Sequence, residues 1–274
     1  MESTATISLA PEAKYEENSQ LLRWQNFPKG AEYGSLLHDL LEWQAQQGWP
    51  LTQAHSEHES SIQQAWQHLL MRKTRSLVIP PRAHAMLPDW ISSIITTPLP
   101  LTNTQTPVLP LVLQNLKSAC MWPEMEFNLT TQAVNSEVID SLIQQHVLPS
   151  QTRPALPSRQ LQGMLTGFMD LVCEHEGQYW VLDYKSNWLP AYDASSLNSA
   201  VLDKRYDVQY VLYLLALHRL LSSRLRSYDY NTHIGGAVYV FLRGIDSEGA
   251  GVHVMKPPLT LITQLDNAFA GRPS

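Results

Sequence analysis

A chain of 274 residues that is 44% hydrophobic and 16% charged carries enough apolar surface for a sizeable core. That excludes a disordered polymer and leaves room for one large domain or two small ones. The formal net charge of −6 gives no global basic excess of the kind nucleic-acid binders often carry, although a local groove can be basic on an acidic protein. Two cysteines, Cys120 and Cys173, form no CxxC pair. A zinc ribbon or four-cysteine iron–sulfur cluster within the chain is therefore excluded, and two free thiols suit a reducing cytoplasm. Residues 1–18 lack the basic start and apolar stretch of a signal peptide, and the longest apolar run, 210–217, is too short to span a bilayer.

Residues 1–29 read as a tether ending at Phe27-Pro28-Lys29-Gly30. A helix follows over 34–43, with Leu37, Leu40, Leu41 and Gln44 on one face, ended by Gly48 and Pro50. A second helix is predicted over 56–72 with Ser56 as N-cap, and a third over 87–95 with Pro88 in its first turn. Residues 98–110 hold four prolines and read as a loop. Then the pattern changes: a short strand over 124–129, a helix over 134–146, and a strand over 163–174. A tight turn with Gly177 returns the chain as a strand over 179–185. A single long helix over 197–226, a strand over 236–243 and a helix over 258–270 complete an α/β or α+β order.

Three charges stand among the apolar residues of the predicted hairpin: Asp170, Asp183 and Lys185. Alternate strand residues share a face, so Asp183 and Lys185 are neighbours with Tyr184 turned away. An antiparallel pairing brings Asp170 to the same place. Two carboxylates on adjacent strands make an oxygen-rich site for a hard cation such as Mg²⁺. Such an ion polarises a phosphate and acidifies a bound water, and a lysine two residues on steadies developing charge. These residue types fit phosphodiester hydrolysis. An Asp-x-Lys on a strand also reads as a solvated face with a weak ion pair.

Longer strings carry more. Gly167-Phe-Met-Asp170, Leu182-Asp-Tyr-Lys-Ser-Asn-Trp188, Arg205-Tyr-Asp-Val-Gln209 with Tyr213 on the same helix face, and Phe241-Leu-Arg-Gly-Ile-Asp246 together resemble the RecB family of PD-(D/E)XK nucleases. The likeness runs from about residue 27 to the end and includes the Gly34-x-x-x-His38 helix. It implies a restriction-endonuclease-like α/β core sheet flanked by helices behind a helical N-terminal part, with the nuclease domain over 30–274. It implies a magnesium-dependent DNA nuclease of exodeoxyribonuclease type, with Mg²⁺ held by His38, Asp170, Asp183 and the Tyr184 carbonyl, and Lys185 as catalytic lysine. Gln209 and Tyr213 would touch substrate or order the lysine strand, while Val208, Val211, Leu212 and Leu215 pack on the sheet. Glu126, or Glu124 on the same strand face, is a further acidic residue of the site. The implied partners are DNA, RecC- and RecD-like subunits and a RecB helicase region. The chain itself has no Gly-x-x-x-x-Gly-Lys-Ser/Thr loop. The alternative is a DNA- or partner-binding module of such a complex, with little activity alone.

Overall fold

Leu37, Leu40 and Leu41 recur at helical spacing, and all three are fully buried in helix α1, Ala31–Gln46. Each contributes about 1.5–3 kcal/mol of burial. The computed structural model describes residues 23–50, 57–101, 108–245 and 251–272. Within these, α1 is followed by α2 (Glu57–Thr74) and α3 (Pro81–Thr96). Strand β1 (Met121–Asn135), helix α4 (Ser136–His146) and strands β2 (Gln160–His175) and β3 (Gln178–Lys185) come next. Helices α5 (Ala194–Asp203), α6 (Tyr206–Arg224) and the single turn α7 (Tyr230–His233) lead to β4 (Ile234–Phe241), β5 (Val252–Met255) and α8 (Leu259–Phe269).

The five strands lie in chain order, with β3 and β4 parallel and every other neighbouring pair antiparallel. Helices cover both faces, so the central strands read as nearly unbroken apolar runs. Leu171, Cys173, Trp180, Leu182, Tyr184, Val238 and Val240 face one core with α1, α2 and α3. Val172, Val181, Ala237, Tyr239 and Phe241 face the other with α4, α5, α6 and α8. The β2–β3 turn has positive φ at both Glu176 (53°) and Gly177 (75°), the geometry a two-residue hairpin needs.

Several expectations are corrected. The tether does not reach residue 29, because Trp24 and Phe27 are 2% and 1% exposed in the first core and Trp24 stacks on Trp90 at 5.5 Å. Helix α3 begins six residues early, with Pro81 at its N-terminus, which places Pro88 inside the helix rather than in its first turn. The ends of the stretch expected as a loop over 98–110 are joined by a bridge between Leu99 and Leu111, and residues 102–107 lie outside the described residues. The long helix over 197–226 is two helices. Lys204 ends α5, and Arg205 takes a left-handed conformation (φ 55°) before α6 begins. Strand β5 has no counterpart in the expected elements. Ser56, expected as an N-cap, lies outside the described residues.

Candidate active site

The β2–β3 ladder ends at the pair Leu171–Leu182. One residue further, the strands part, and Asp170 and Asp183 stand at the fork. Strand β3 continues against β4, where Asp183 registers with Tyr239 and Lys185 with Phe241. The freed Tyr184 N–H donates instead to Asp170 Oδ2 at 2.7 Å, so a side chain replaces the missing strand partner. Alternation also slips here: Met169 faces the second core, yet Leu171, two residues on, faces the first. That slip turns the Asp170 carboxylate into the fork.

Asp183 is 2% exposed and Lys185 is 9% exposed, and the two form an ion pair. The Asp183 Oδ2 has no hydrogen bond of sound geometry beyond that contact. Burial and then the Asp170 charge push the Asp183 carboxyl up to about 6, against the pull of Lys185 and His38. From α1, His38 Nδ1 lies 3.3 Å from Asp170 Oδ1. Burial draws the imidazole down, but the bond to Asp170 and the two carboxylate charges outweigh it, and its pKa is raised overall. The helix comes this close because Gly34 has no side chain: a Cβ there would lie 2.8 Å from Ser186 Oγ. Tyr184 turns its ring into the first core beside His38 (centroids 6.0 Å apart), leaving its peptide at the fork.

Lys185 is held from three sides. Its ammonium donates to Gln209 Oε1 at 2.9 Å and lies over the rings of Tyr206 (4.1 Å) and Tyr239 (4.9 Å). Tyr239 also donates to Gln209 Oε1 at 2.9 Å, and Gln209 Nε2 donates to the Tyr213 hydroxyl at 2.7 Å. Burial and the facing carboxylates raise the Tyr213 phenol far above its ordinary value, which keeps it protonated. Sequence reading missed Tyr239 and Tyr206. Tyr239 is a fully buried strand residue, and only the parallel register with Asp183 brings it to the site.

Glu124 and Glu126 do not share a face. Glu124 has φ 48°, which breaks the strand alternation while the pairings on either side stay in register. Its side chain lines a pocket of about 470 Å³ with His38, Asp39 and Glu42. Burial and the Asp170 charge raise its pKa. Glu126 lines a different pocket, with Arg219. Among the described residues, no three of His, Cys, Asp and Glu form a ready-made metal cage. The donors at the fork still suit a hard cation. Two carboxylates converge there, Asp183 buried and Asp170 partly so, and the Asp170 charge that raises the Asp183 carboxyl calls for positive charge. Cys120 and Cys173 are free thiols. None of the described helices is long and apolar enough to cross a membrane.

The model of the PD-(D/E)XK nuclease superfamily matches residues 12–270. The chain is 36% identical over 252 residues to the RecBCD enzyme subunit RecB of Escherichia coli (strain K12), covering 89% of this chain and 20% of that protein. The subunit of the same name from Buchnera aphidicola subsp. Acyrthosiphon pisum is 32% identical over 253 residues, 90% of this chain and 20% of that one. The one from Haemophilus influenzae is 37% identical over 190 residues, 67% of this chain and 15% of that one. The chain thus spans about a fifth of the length of these relatives.

Proposed function

The chain belongs to the PD-(D/E)XK nuclease superfamily, and from that premise we propose that it hydrolyses DNA phosphodiester bonds with Mg²⁺ at the β2–β3 fork. The observation that carries the reading is the convergence of Asp170, Asp183 and Lys185 where the two strands part, with His38 on one carboxylate and Gln209 on the lysine. His38, Asp170, Asp183 and the Tyr184 carbonyl would hold the cation. When bound, it would polarise the scissile phosphate and lower the pKa of the attacking water. Asp170 fixes the Tyr184 peptide by accepting its N–H. Lys185 presents an ammonium to the water and to charge developing on the phosphate, and needs no covalent intermediate. Gln209 and Tyr213 position that ammonium: both polar atoms of the Gln209 amide are spent on Lys185, Tyr239 and Tyr213. Glu124 is the additional acidic residue on the His38 side of the site.

We place this activity in the nuclease portion of a cytoplasmic RecBCD-like complex that processes DNA ends in recombinational repair, acting with RecC- and RecD-like subunits and a RecB helicase region. The relatives' name and the extent of the likeness support that placement.

The test is degradation of an end-labelled linear single strand by the purified chain with Mg²⁺, with EDTA, and with Asp183→Ala. Cleavage that needs both the metal and Asp183 is expected. Undiminished cleavage by a folded Asp183→Ala would remove the fork from the chemistry. A well-folded chain that binds Mg²⁺ and never cuts would leave a module that binds DNA or its partner subunits instead.

A further inference from the structure

Next to the acidic pocket, and sharing Ala31 and Ser186 with it, lies a groove of about 630 Å³. Lys29, Asn187, Trp188, Lys204 and Tyr206 line it. Its chemistry differs from that of the acidic pocket around His38. Two lysines stand at its walls, both exposed. Trp188 is 42% exposed, although burying an indole this size is the usual outcome in a chain of this length. The groove is also joined to the fork. The Tyr206 ring carries the Lys185 ammonium at 4.1 Å, and its hydroxyl donates to Asn187 Oδ1 at 3.1 Å. One side chain therefore touches both the lysine of the fork and the groove wall. Ser186 lines both cavities.

We propose that this groove binds the unpaired DNA strand beside the scissile phosphate, with one base stacked on Trp188 and the flanking phosphates on Lys29 and Lys204. The inference rests on the nuclease reading above and adds the strand's path. An exposed aromatic face between cationic side chains is what unpaired nucleic acid uses, since every base offers a π-face and every nucleotide a phosphate. Inside a duplex the base faces are stacked on one another, and only its two ends could give one to Trp188. Asn187 offers an amide for base edges. At present the Lys29 ammonium covers one face of the indole, 3.8 Å from the ring centroid. On strand binding it moves to a phosphate, and the face it leaves takes the base.

The test measures binding of a fluorescent oligo(dT) strand and of a blunt duplex of equal length by anisotropy, with Ca²⁺ in place of Mg²⁺ and over a range of salt. Trp188→Ala is expected to weaken the single strand about 5- to 150-fold, the worth of one stacked base. Trp188→Phe is expected to recover most of that, and the duplex to change far less. Lys29→Gln with Lys204→Gln is expected to make the single-strand salt slope shallower by about 1.4, or about 0.7 for each phosphate no longer neutralised. Wild-type binding by Trp188→Ala, an equal loss for duplex and single strand, or an unchanged slope in the double lysine variant each overturns the proposal. If the wild-type chain still cuts in an Asp183-dependent way, only the strand path falls. If it neither binds the oligonucleotide nor cuts it, the nuclease reading falls too.

Discussion

Gln209 makes no contact with either carboxylate, yet its amide oxygen accepts from both the Lys185 ammonium and the Tyr239 hydroxyl. Removing that acceptor frees a charged side chain whose direction matters. We expect Gln209→Leu to slow cleavage roughly 10- to 100-fold, the cost of about an ångström of misplacement. Gln209→Glu keeps an acceptor oxygen and should retain much more activity. A merely structural amide would show no such rescue, and equal losses in both variants would contradict the positioning role. A second residue matters only to stability. His253 on β5 is buried with Nε2 unpartnered, and burial depresses its pKa from 6.5 to about 4. The folded state therefore holds a neutral imidazole where the unfolded state takes up a proton. This contribution is complete above about pH 6.5 and drains away as pH falls towards 4. At about 1.36 kcal/mol per pH unit it amounts to roughly 3 kcal/mol. Urea midpoints of His253→Leu should fall less between pH 7 and pH 4.5 than those of the wild type. Parallel curves would sink this account. At this scale, Asp170, Asp183 and Lys185 stand out in the sequence as charges among apolar residues, whereas His38 is picked out only by its Gly34-x-x-x-His38 setting in the family resemblance. Tyr239 has no such mark, since an aromatic residue in a buried strand looks the same whether it only packs or also meets a polar neighbour.

The elements repeat that division. The β2–β3 hairpin was legible because two strand-like runs flank a short turn that holds Gly177. The break between α5 and α6 was not. A left-handed residue is usually announced by Gly or Asn, and here it is Arg205. Its conformation is held by one local and one long-range ion pair. Arg205 reaches Asp140 at 2.7 Å and Asp207 at 3.0 Å, and Arg153 meets Asp207 at 2.7 Å with both side chains almost wholly buried. Asp140 has its carboxyl lowered because Arg205 and the Leu156 N–H outweigh its burial. This network fixes where α6 starts, and so where Gln209 and Tyr213 point. Arg153 also donates to the Val147 and Leu148 carbonyls. Arg153→Ala strands a fully buried carboxylate with one partner fewer and should cost about 3–5 kcal/mol by urea unfolding. A loss under about 1 kcal/mol would mean that the network relaxes around the gap. The strand β5 escaped notice for a simpler reason: four residues are too few to establish a period.

Across the whole molecule, two cores lie against the sheet, and Arg243 ties the segment over 24–28 to the C-terminal half. Its guanidinium donates to the carbonyls of Trp24, Phe27, Pro28 and Ser186 within 3.0 Å. Arg243 is 3% exposed, and burial lowers its pKa. Arg243→Met should cost more than about 3 kcal/mol, since several buried acceptors lose their donor together. Because Lys29 follows this clamped segment and Ser186 is one of its partners, the same variant should also weaken single-strand binding in Ca²⁺. Stability and binding that both match the wild type would show that the segment is held by Trp24 and Phe27 alone. The Phe241-Leu-Arg-Gly-Ile-Asp246 string marks Arg243 as part of the family resemblance, but its clamp on backbone carbonyls was not readable there, because carbonyl acceptors leave no side-chain signature.

The Arg243 clamp also sets a timetable. Its bond to Trp24 joins residues 219 positions apart. A ribosome adds roughly 5–20 residues each second, so roughly 10–45 s separate the arrival of the two partners. Throughout that interval the segment leading to Lys29 emerges without its anchor. Lys185 precedes Arg243 by 58 positions, so for roughly 3–12 s a nascent chain carries every residue of the proposed fork site before the residue that clamps the segment beside it.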